Sequence, residues 1–396
     1  MSPARHLSEL NRTEGSVLSL DGDPRAAVSE DRLENRFHEH PASWRFRNWR
    51  VRTKIIAILL IPLLAVVALS GLRLSGVVAD MQQAGRAEQV AGLALNAAAL
   101  ADELQAERDL SGAYVGRSRN YGAKELRTER GRVDRAVRDY QQAESSLSGD
   151  YGPVVTDLVA SVDKHVQQLA QVREAIDHGA APWSAMFDDY TRFISDLISI
   201  EETVPQGSND ARLTDGVRAM ASLSRVKALV SAERGSLDYV LGSARFDDQQ
   251  FRDFLNLDAR LQAAQEEFQA SITAAQRTMF ENQVTGVVTS PVDSLTKQAM
   301  TSPSRALAID LPDWYAKVSA VVQKMRVVEV AFGNQVLDRS TEMHRDAQRQ
   351  AAVNTGVVLA VLLVTFVLAL MVARSLVRPL RRLRSTATEV ALHRLP

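Results

Sequence analysis

The chain has 396 residues, a formal net charge of −1 at pH 7 and no cysteine. This near-neutral balance, with only 6% aromatic residues, argues against a basic nucleic-acid-binding surface, so no nucleic acid is expected as a partner. The lack of cysteine excludes disulfide frameworks, thiolate metal sites and cysteine nucleophiles.

The chain opens with a polar leader followed by a short basic segment. Residues 1–44 mix both charges and lack apolar periodicity, which predicts a disordered tail. Residues 45–54 form a basic juxtamembrane segment, with positive charge at Arg45, Arg47, Arg50, Arg52 and Lys54.

Two uncharged apolar runs predict transmembrane helices. The first is IIAILLIPLLAVVALSGL, residues 55–72, and the second is GVVLAVLLVTFVLALMVA, residues 356–373. Each has about 18 residues, near the lower limit for crossing the hydrocarbon core of a bilayer. A buried soluble helix is the alternative for either run taken alone.

The charges beside the two runs predict how the chain is oriented in a cell membrane. Arginines follow the second run at Arg374, Arg378, Arg381, Arg382 and Arg384, as basic residues precede the first. Because positive residues concentrate on the cytoplasmic side of membrane spans, both termini are expected in the cytoplasm and residues 73–355 outside it.

The outer segment, residues 73–355, has a helical pattern almost throughout. Apolar residues recur every three or four positions, and glycine and proline are concentrated at a few breaks. This predicts an all-α, antiparallel bundle of six to eight helices in two halves, divided near residues 204–210, with Asn209 or Asp210 as a helix N-cap. Further breaks are predicted at 116–122, 147–153, 178–183 and 242–248, with a looser region over 286–312.

The last helix is expected to start at Asp313 and to continue without interior proline as far as Arg378-Pro379. Such a helix would have about 60 residues and a length of roughly 90 Å. A bundle whose first and last helices are also membrane spans has the layout of a receptor.

An Ala-Glu-Arg triplet occurs twice, as LQAERDLSGAYVG at residues 104–116 and VSAERGSLDYVLG at 230–242. In each, the arginine falls on the apolar face of its helix, where leucine or valine would pack better: Arg108 follows Leu104 and precedes Ser111, and Arg234 follows Val230. A buried guanidinium keeps its charge and therefore needs a partner.

Three interpretations of the two arginines remain open. Each could form an ion pair with an acidic residue, although Glu107 and Glu233 point about 100° away from the arginines that follow them. The arginines could instead extend to the bundle surface. In the third interpretation both arginines converge on a small planar oxyanion from solution. A guanidinium group can bind such an anion with two parallel hydrogen bonds.

The two Glu-Arg helices, their spacing, and the late helix LPDWYAKVSAVVQKMRVVEVAF together resemble the nitrate- and nitrite-sensing (NIT) domain family over roughly residues 80–345. The resemblance implies an all-helical domain that binds nitrate or nitrite between helices through arginines. It assigns that role to Arg108 and Arg234, with Glu107 and Glu233 as motif companions and Ser111, Arg305 and Arg326 as further candidates. Asp109 departs from the family motif and places a negative charge beside the site, whereas Gly235 agrees with the motif.

Residues 374–396 resemble the first helix of a HAMP linker, with Arg378-Pro379-Leu380 supplying the typical proline; a basic juxtamembrane helix is the alternative. NIT–HAMP combinations commonly precede histidine kinase cores, so the chain is interpreted as the sensory N-terminal half of such a kinase. No catalytic residue, metal or cofactor is expected in it. A homodimer is expected by analogy, and a response regulator would be reached only through a kinase core beyond this chain.

The expected function is therefore membrane-bound nitrate or nitrite sensing for two-component signal transduction. The expected mechanism is that Arg108 and Arg234 repel each other until an anion bridges them, which shifts the helices. The alternatives are a membrane-anchored interaction or dimerisation module, and a receptor for another small anion.

Overall fold

The computed structural model describes residues 51–147, 151–204, 210–243, 245–301 and 308–392, and these residues contain helices but no strand. The all-α class predicted from the sequence is confirmed. Contacts divide the chain into Met1–Leu60 and Ile61–Pro396, and the packing described below lies within the second unit. The helices in the described ranges are α1 Val51–Gly116, α2 Ala123–Ser145, α3 Pro153–His178, α4 Trp183–Glu201, α5 Ala211–Ser243, α6 Asp248–Ser271, α7 Ala274–Gln283, α8 Gly286–Thr301 and α9 Leu311–Leu392.

Two helices are long and apolar enough to cross a membrane. They are α1, from Leu64 onward, and α9, as far as Val372. Their apolar side chains face outward: Leu64 is 56% exposed and Leu363 is 64% exposed. Such a contiguous apolar surface is costly in water and favourable in a hydrocarbon solvent. The predicted spans, 55–72 and 356–373, lie within α1 and α9 and overlap these apolar segments. The tail over residues 1–44 lies outside the described residues.

The last helix is longer than predicted. It begins at Leu311 rather than Asp313 and continues for 82 residues to Leu392, which is about 120 Å at 1.5 Å per residue. Pro312 lies in its first turn, where a missing N–H costs nothing, and Asp310 caps it by accepting from the Asp313 N–H at 3.1 Å. The helical backbone also passes through Pro379, the first proline after Pro312.

Most predicted breaks coincide with observed helix ends, and the errors are local. Asp210 accepts from the Leu213 N–H at 2.8 Å and so caps α5 as predicted, whereas Asn209 lies outside the described residues. The break between α6 and α7 was missed, although Thr273 and Gln276 form a capping box there. The region 286–312 was expected to be loose, yet much of it is α8, which tolerates Pro291 in its interior.

The outer helices enclose two apolar cores. In one, α1 packs against α2, α3 and α4 through residues that include Leu100, Val133, Val162 and Leu197. In the other, α5 packs against α6 to α9 through residues that include Val226, Phe254, Trp314 and Phe332. The two-half organisation predicted from the sequence therefore has a physical basis, since α1 and α5 each centre one core.

A buried group of charges, which we call the lysine cluster, joins the two halves. It consists of Asp102, Glu201, Ser224, Lys227, Arg326 and Glu329. Lys227 Nζ donates to Asp102 at 2.6 Å and to Glu329 at 2.8 Å. These contacts tie α1, α5 and α9 together, because a buried ammonium without carboxylate partners would be strongly destabilising.

Candidate anion site

Helices α1 and α5 lie side by side and run in the same direction. Two contacts fix this arrangement: Lys227 with Asp102 and Arg234 with Asp109, and the partners are 125 residues apart in both. Because the separation in sequence is the same for both pairs, the step from Asp102 to Asp109 along α1 matches the step from Lys227 to Arg234 along α5. The two helices therefore run parallel. The two Glu-Arg triplets are therefore brought to the same level of the bundle.

Glycines allow this close approach. A Cβ on Gly112 would lie 2.8 Å from the carbonyl oxygen of Gly235, and a Cβ on Gly235 would overlap the Asp109 carboxylate. A Cβ on Gly116 would overlap the carbonyl of Tyr239. Because no larger residue fits at these positions, the backbones approach directly beside the arginines.

One carboxylate, that of Asp109, bridges the two arginines. Arg108 Nε donates to its Oδ1 at 2.9 Å, and Arg234 Nε donates to its Oδ2 at 2.9 Å. Arg234 Nη2 lies 2.8 Å from the same Oδ2 and completes the ion pair. The Ser231 hydroxyl donates to the same Oδ2 at 2.6 Å. Asp109 is 0% exposed, so it is a fully desolvated, fixed anion between two cations.

This geometry corrects two expectations. Arg108 and Arg234 do converge, but they are not left to repel each other, because Asp109 neutralises one of their two charges. Asp109 was expected only to repel an incoming anion. The expectation that Glu107 would be poorly placed to pair with Arg108 agrees with the structure, in which Arg108 instead reaches the carboxylate of the residue that follows it.

Hydroxyl groups and aromatic rings complete the surroundings of Arg108. Its Nη1 donates to Thr191 Oγ1 of α4 at 3.3 Å, and its Nη2 donates to Ser231 Oγ at 3.1 Å. The guanidinium carbon lies 4.8 Å from the centroid of the Phe187 ring. A cation over an aromatic face gains electrostatic stabilisation without losing its remaining N–H donors.

Arg234 is held from the other side by α9. Its Nη1 donates to Ser319 Oγ at 2.9 Å, and its guanidinium carbon lies 5.0 Å from the centroid of Tyr315. The Trp314 indole N–H donates to the Arg234 carbonyl at 3.3 Å. The site thus has contributions from α1, α4, α5 and α9.

A second buried carboxyl group, Asp238, affects the charge of the site. It is 0% exposed, and within the described residues neither of its oxygens has a hydrogen-bond partner. Burial, and then the nearby charge of Asp109, raise the pKa of Asp238 well above its ordinary value. This shift favours the neutral form of Asp238. In that form Arg108 and Arg234 would face one carboxylate, that of Asp109, and one positive charge of the site would be uncompensated.

Glu107 points away from the arginine that follows it and anchors the first core instead. Its carboxylate accepts from Arg173 Nε and Nη2, both at 2.7 Å, and from the Tyr190 hydroxyl at 2.7 Å. Arg130 Nε lies 3.7 Å away. The bidentate Arg173 contact makes Glu107 a structural link between α1 and α3.

The remaining candidate residues lie outside this set of contacts. Ser111 donates from Oγ to the Glu107 carbonyl within α1 at 2.7 Å. Arg326 belongs to the lysine cluster, where its Nη1 donates to Glu329 at 2.5 Å. Glu233 lines a cleft on the far side of α5. Arg305 lies outside the described residues.

Sequence reasoning missed the polar residues that hold the arginines. Ser231 and Asp238 stand three residues before and four after Arg234, so helical periodicity is a signal that could have placed them on the same face as Arg234. Thr191 and Ser319 come from distant helices, and the sequence has no signal that could pair them with Arg108 and Arg234.

The sequence and the fold were compared with protein families and with solved structures. The profile of a family described as "Nitrate and nitrite sensing" (NIT) matches residues 99–337, more than half of the chain. The solved structure of the NasR transcription antiterminator is similar, with a TM-score of 0.59, 17% identity, and coverage of 70% of this chain and 80% of that one. At this identity the likeness concerns the fold alone. No match to a curated protein was found.

Proposed function

The chain belongs to the nitrate- and nitrite-sensing (NIT) family, and we propose that it is a membrane-bound sensor that binds nitrate or nitrite between α1 and α5, at Arg108 and Arg234. The observation that carries this proposal is the convergence of the two guanidinium groups on one planar carboxylate, Asp109. A carboxylate and a nitrate ion are both planar oxyanions, so the contacts to Asp109 resemble those that the ligand would receive.

The net charge of the two arginines and Asp109 supports a monovalent anion as the ligand. Two arginines against one ionised carboxylate leave one positive charge in a place where Arg108 is 1% exposed and Arg234 is 4% exposed. Burying an uncompensated charge is expensive, and a single monoanion removes that cost. A dianion would leave the site negatively charged, which favours nitrate or nitrite over sulfate.

The donors needed for such a ligand are present. Each guanidinium has five N–H groups, and the contacts to Asp109, Ser231, Thr191 and Ser319 leave some of them free for another acceptor. In our proposal nitrate takes over guanidinium donors that Asp109 occupies, and the displaced Asp109 carboxylate stays beside the arginines, so the total charge of the site is close to zero. The hydroxyls of Ser231 and Thr191 then rotate to donate to the ligand.

Signal transmission would use the two long helices. Arg108 and Asp109 lie on α1, and Ser319 and Tyr315, which hold Arg234, lie on α9. Both helices continue into segments long and apolar enough to cross a membrane. A shift of about 1–2 Å at the site, the size typical of such transitions, would therefore reach the other side of the bilayer without an intervening joint.

In this proposal residues 73–355 form the extracytoplasmic sensor, with a NIT core over 80–345, and both termini lie in the cytoplasm. Residues 55–72 and 356–373 span the membrane, and 374–396 form part of a HAMP linker. The output is a histidine kinase core beyond this chain, which acts on a response regulator, and the sensor works as a homodimer.

Calorimetric titration of the full chain in lipid nanodiscs with nitrate, nitrite, chloride and acetate tests the ligand assignment. We expect saturable nitrate or nitrite binding, weaker binding of chloride and acetate, and a loss of at least tenfold for Arg234→Lys, since an ammonium cannot make the bidentate contact. The exposed Arg192→Lys is the matched control and should bind as the original chain does. No saturable binding at millimolar nitrate or nitrite would refute the assignment.

The pairing of Asp109 with both arginines also fits a second function, that of a membrane-anchored interaction module. In a membrane-anchored interaction module these contacts would be ordinary structural ion pairs. Replacing Arg108, Asp109 and Arg234 together by Met, Leu and Met distinguishes the two, since buried ion pairs are often replaced by apolar residues without loss of stability. A stable variant with an unchanged signalling output would favour the interaction module, and a stable variant that no longer responds to nitrate would favour the sensor.

A further inference from the structure

The two Glu-Arg triplets differ in how their glutamates are satisfied. Glu107 is held by Arg173, Tyr190 and Arg130. Glu233 occupies the corresponding position before Arg234, and within the described residues no group hydrogen-bonds to its Oε1. The first triplet therefore has internal cationic partners that the second lacks.

Glu233 nevertheless lies deep in the protein, at 4% exposure. It lines a cleft of about 880 Å³ whose walls come from α5, α6, α7, α8 and α9. This volume is in the range of small-molecule binding sites. A carboxyl group this strongly desolvated is costly to ionise unless a cation supplies a partner, and the cleft that Glu233 lines has room for one.

The cleft combines negative charge with apolar walls. Asp258, Glu266 and Asp293 line it together with Glu233, and Lys297 is the cationic residue of its lining. Apolar walls are provided by residues that include Leu261, Phe268, Phe280, Val292, Met300 and Met325. The lining thus favours a ligand with one cationic group and an apolar body.

The charge around Glu233 and the chemistry of the lining bear on which kind of cation the cleft would bind. Burial, and then the charges of Asp258 and Asp293, raise the pKa of Glu233 to about 8, so these three carboxyl groups are close enough to repel one another. A bound cation opposes both causes, so its binding favours the ionised form of Glu233. Among the described residues no group of three or more His, Asp or Glu side chains has the arrangement needed to hold a metal ion. The apolar walls of the cleft favour an organic cation, an ammonium or a guanidinium, over a metal ion.

We propose that this cleft is a second ligand site, that it binds a small organic cation with an apolar body, and that Glu233 is the carboxylate that pairs with the cationic group. The cation takes the role at Glu233 that Arg173 has at Glu107. Asp258, on α6, and Asp293, on α8, attract the ligand towards the mouth of the cleft. The site is separate from Arg108 and Arg234 and does not depend on the proposed nitrate binding.

Equilibrium dialysis of the full chain in nanodiscs against phenylguanidinium and phenylurea tests this site, in nitrate-free buffer at about pH 9, above the pKa of Glu233, with empty nanodiscs as the blank. The two probes have nearly the same shape, but only the first is charged. We expect saturable binding of phenylguanidinium, at least tenfold tighter than that of phenylurea, which corresponds to about 1.4 kcal/mol. Equal binding of the two probes, or no saturable binding of phenylguanidinium, would overturn the proposal.

Variants locate the binding. Glu233→Gln should weaken phenylguanidinium at least tenfold and leave phenylurea unchanged, whereas Glu174→Gln, an exposed glutamate on α3, should alter neither. Because Glu233 is buried, Asp293→Asn at the exposed rim serves as a second variant that keeps the core intact, with a several-fold loss expected. Unchanged phenylguanidinium binding in both Glu233→Gln and Asp293→Asn would place the cation elsewhere and overturn the assignment.

Discussion

At the scale of single residues, the arrangement around Asp109 is the least predictable feature of the site. Periodicity alone placed Arg108 and Arg234 on buried helix faces, and both are buried. It could not assign the partner, because the conformation of a long arginine side chain decides whether it reaches an adjacent residue. The structure gives Asp109 two arginine partners and one hydroxyl donor.

The first prediction concerns Asp109→Asn. Removing this carboxylate leaves two buried cations without a counter-charge, so the nitrate-free protein should lose about 3–5 kcal/mol of stability. The same change should raise nitrate affinity tenfold or more, because the ligand no longer competes with an internal anion. The measurement is the rise in unfolding temperature on adding nitrate, which should be larger in the variant.

The matched control is Asp102→Asn, which lies before Asp109 on the same helix and pairs with Lys227. It removes an aspartate that also has a cationic partner, so it should lower stability while leaving the nitrate-dependent rise unchanged. A smaller rise in Asp109→Asn than in the original chain would contradict the view that Asp109 competes with the ligand.

The second prediction concerns pH. Because the pKa of Asp238 is raised in the folded protein, the unfolded chain releases this proton from about pH 4 upward while the folded chain retains it. The unfolded state then binds fewer protons, so this group lowers stability progressively as pH rises, by at most about 1.4 kcal/mol per pH unit.

Asp238→Asn should remove that slope, because an amide keeps the shape and stays neutral. We expect its unfolding temperature to exceed that of the original chain by more at about pH 8 than at about pH 5. Asp157→Asn, an exposed aspartate on α3, should give a constant difference. A variant whose advantage shrinks as pH rises would show that Asp238 is ionised in the folded state.

At the scale of helices, contact between α1 and α5 depends on glycine. A Cβ on Gly235 would overlap the Asp109 carboxylate, whereas a Cβ on Gly131 of α2 would meet nothing within 4 Å. The sequence marked Gly235 as part of a motif but could not say what approaches it, since that information comes from the packing of two helices far apart in the chain.

The third prediction follows from this contrast. Gly235→Ala should destabilise the protein by about 1–3 kcal/mol, because the added methyl group forces the helices apart in a packed region. Gly131→Ala makes the same chemical change in open space and should stabilise its helix by about 0.5–1 kcal/mol. Thermal unfolding of both variants measures the difference, and equal effects would mean that the helix contact does not constrain position 235.

Helix boundaries were predictable where glycine, proline or a capping residue punctuates an apolar pattern, as at Asp210. They were less predictable where these signals are ambiguous. Pro291 and Pro379 both lie inside helical backbone, although proline normally ends a helix. The short α7 was missed because its start is marked only by Thr273 and Gln276.

At the scale of the whole molecule, the sequence predicted the all-α class, two apolar spans at the ends and two halves between them. These follow from composition and periodicity, which are local properties. The parallel alignment of α1 and α5 and the position of the lysine cluster required the three-dimensional structure, because they depend on contacts between residues more than 100 positions apart.

The fourth prediction concerns topology. The chain has no cysteine, so single cysteines can be introduced without background labelling. Asp157→Cys, in the proposed extracytoplasmic domain, should react with a membrane-impermeant maleimide in intact cells. Ser385→Cys, in the proposed cytoplasmic segment, should react only after lysis, and labelling of both in intact cells would contradict the two-span arrangement.

The position of Asp109 between the arginines has a consequence for sensitivity. A competitor attached to the receptor has a constant effective concentration, whereas dissolved nitrate does not. In the proposed sensor the threshold for a response is therefore set by how strongly one aspartate is retained, rather than by the affinity of the arginines alone. Related receptors with a neutral residue at this position would respond to scarcer nitrate with the same pair of arginines.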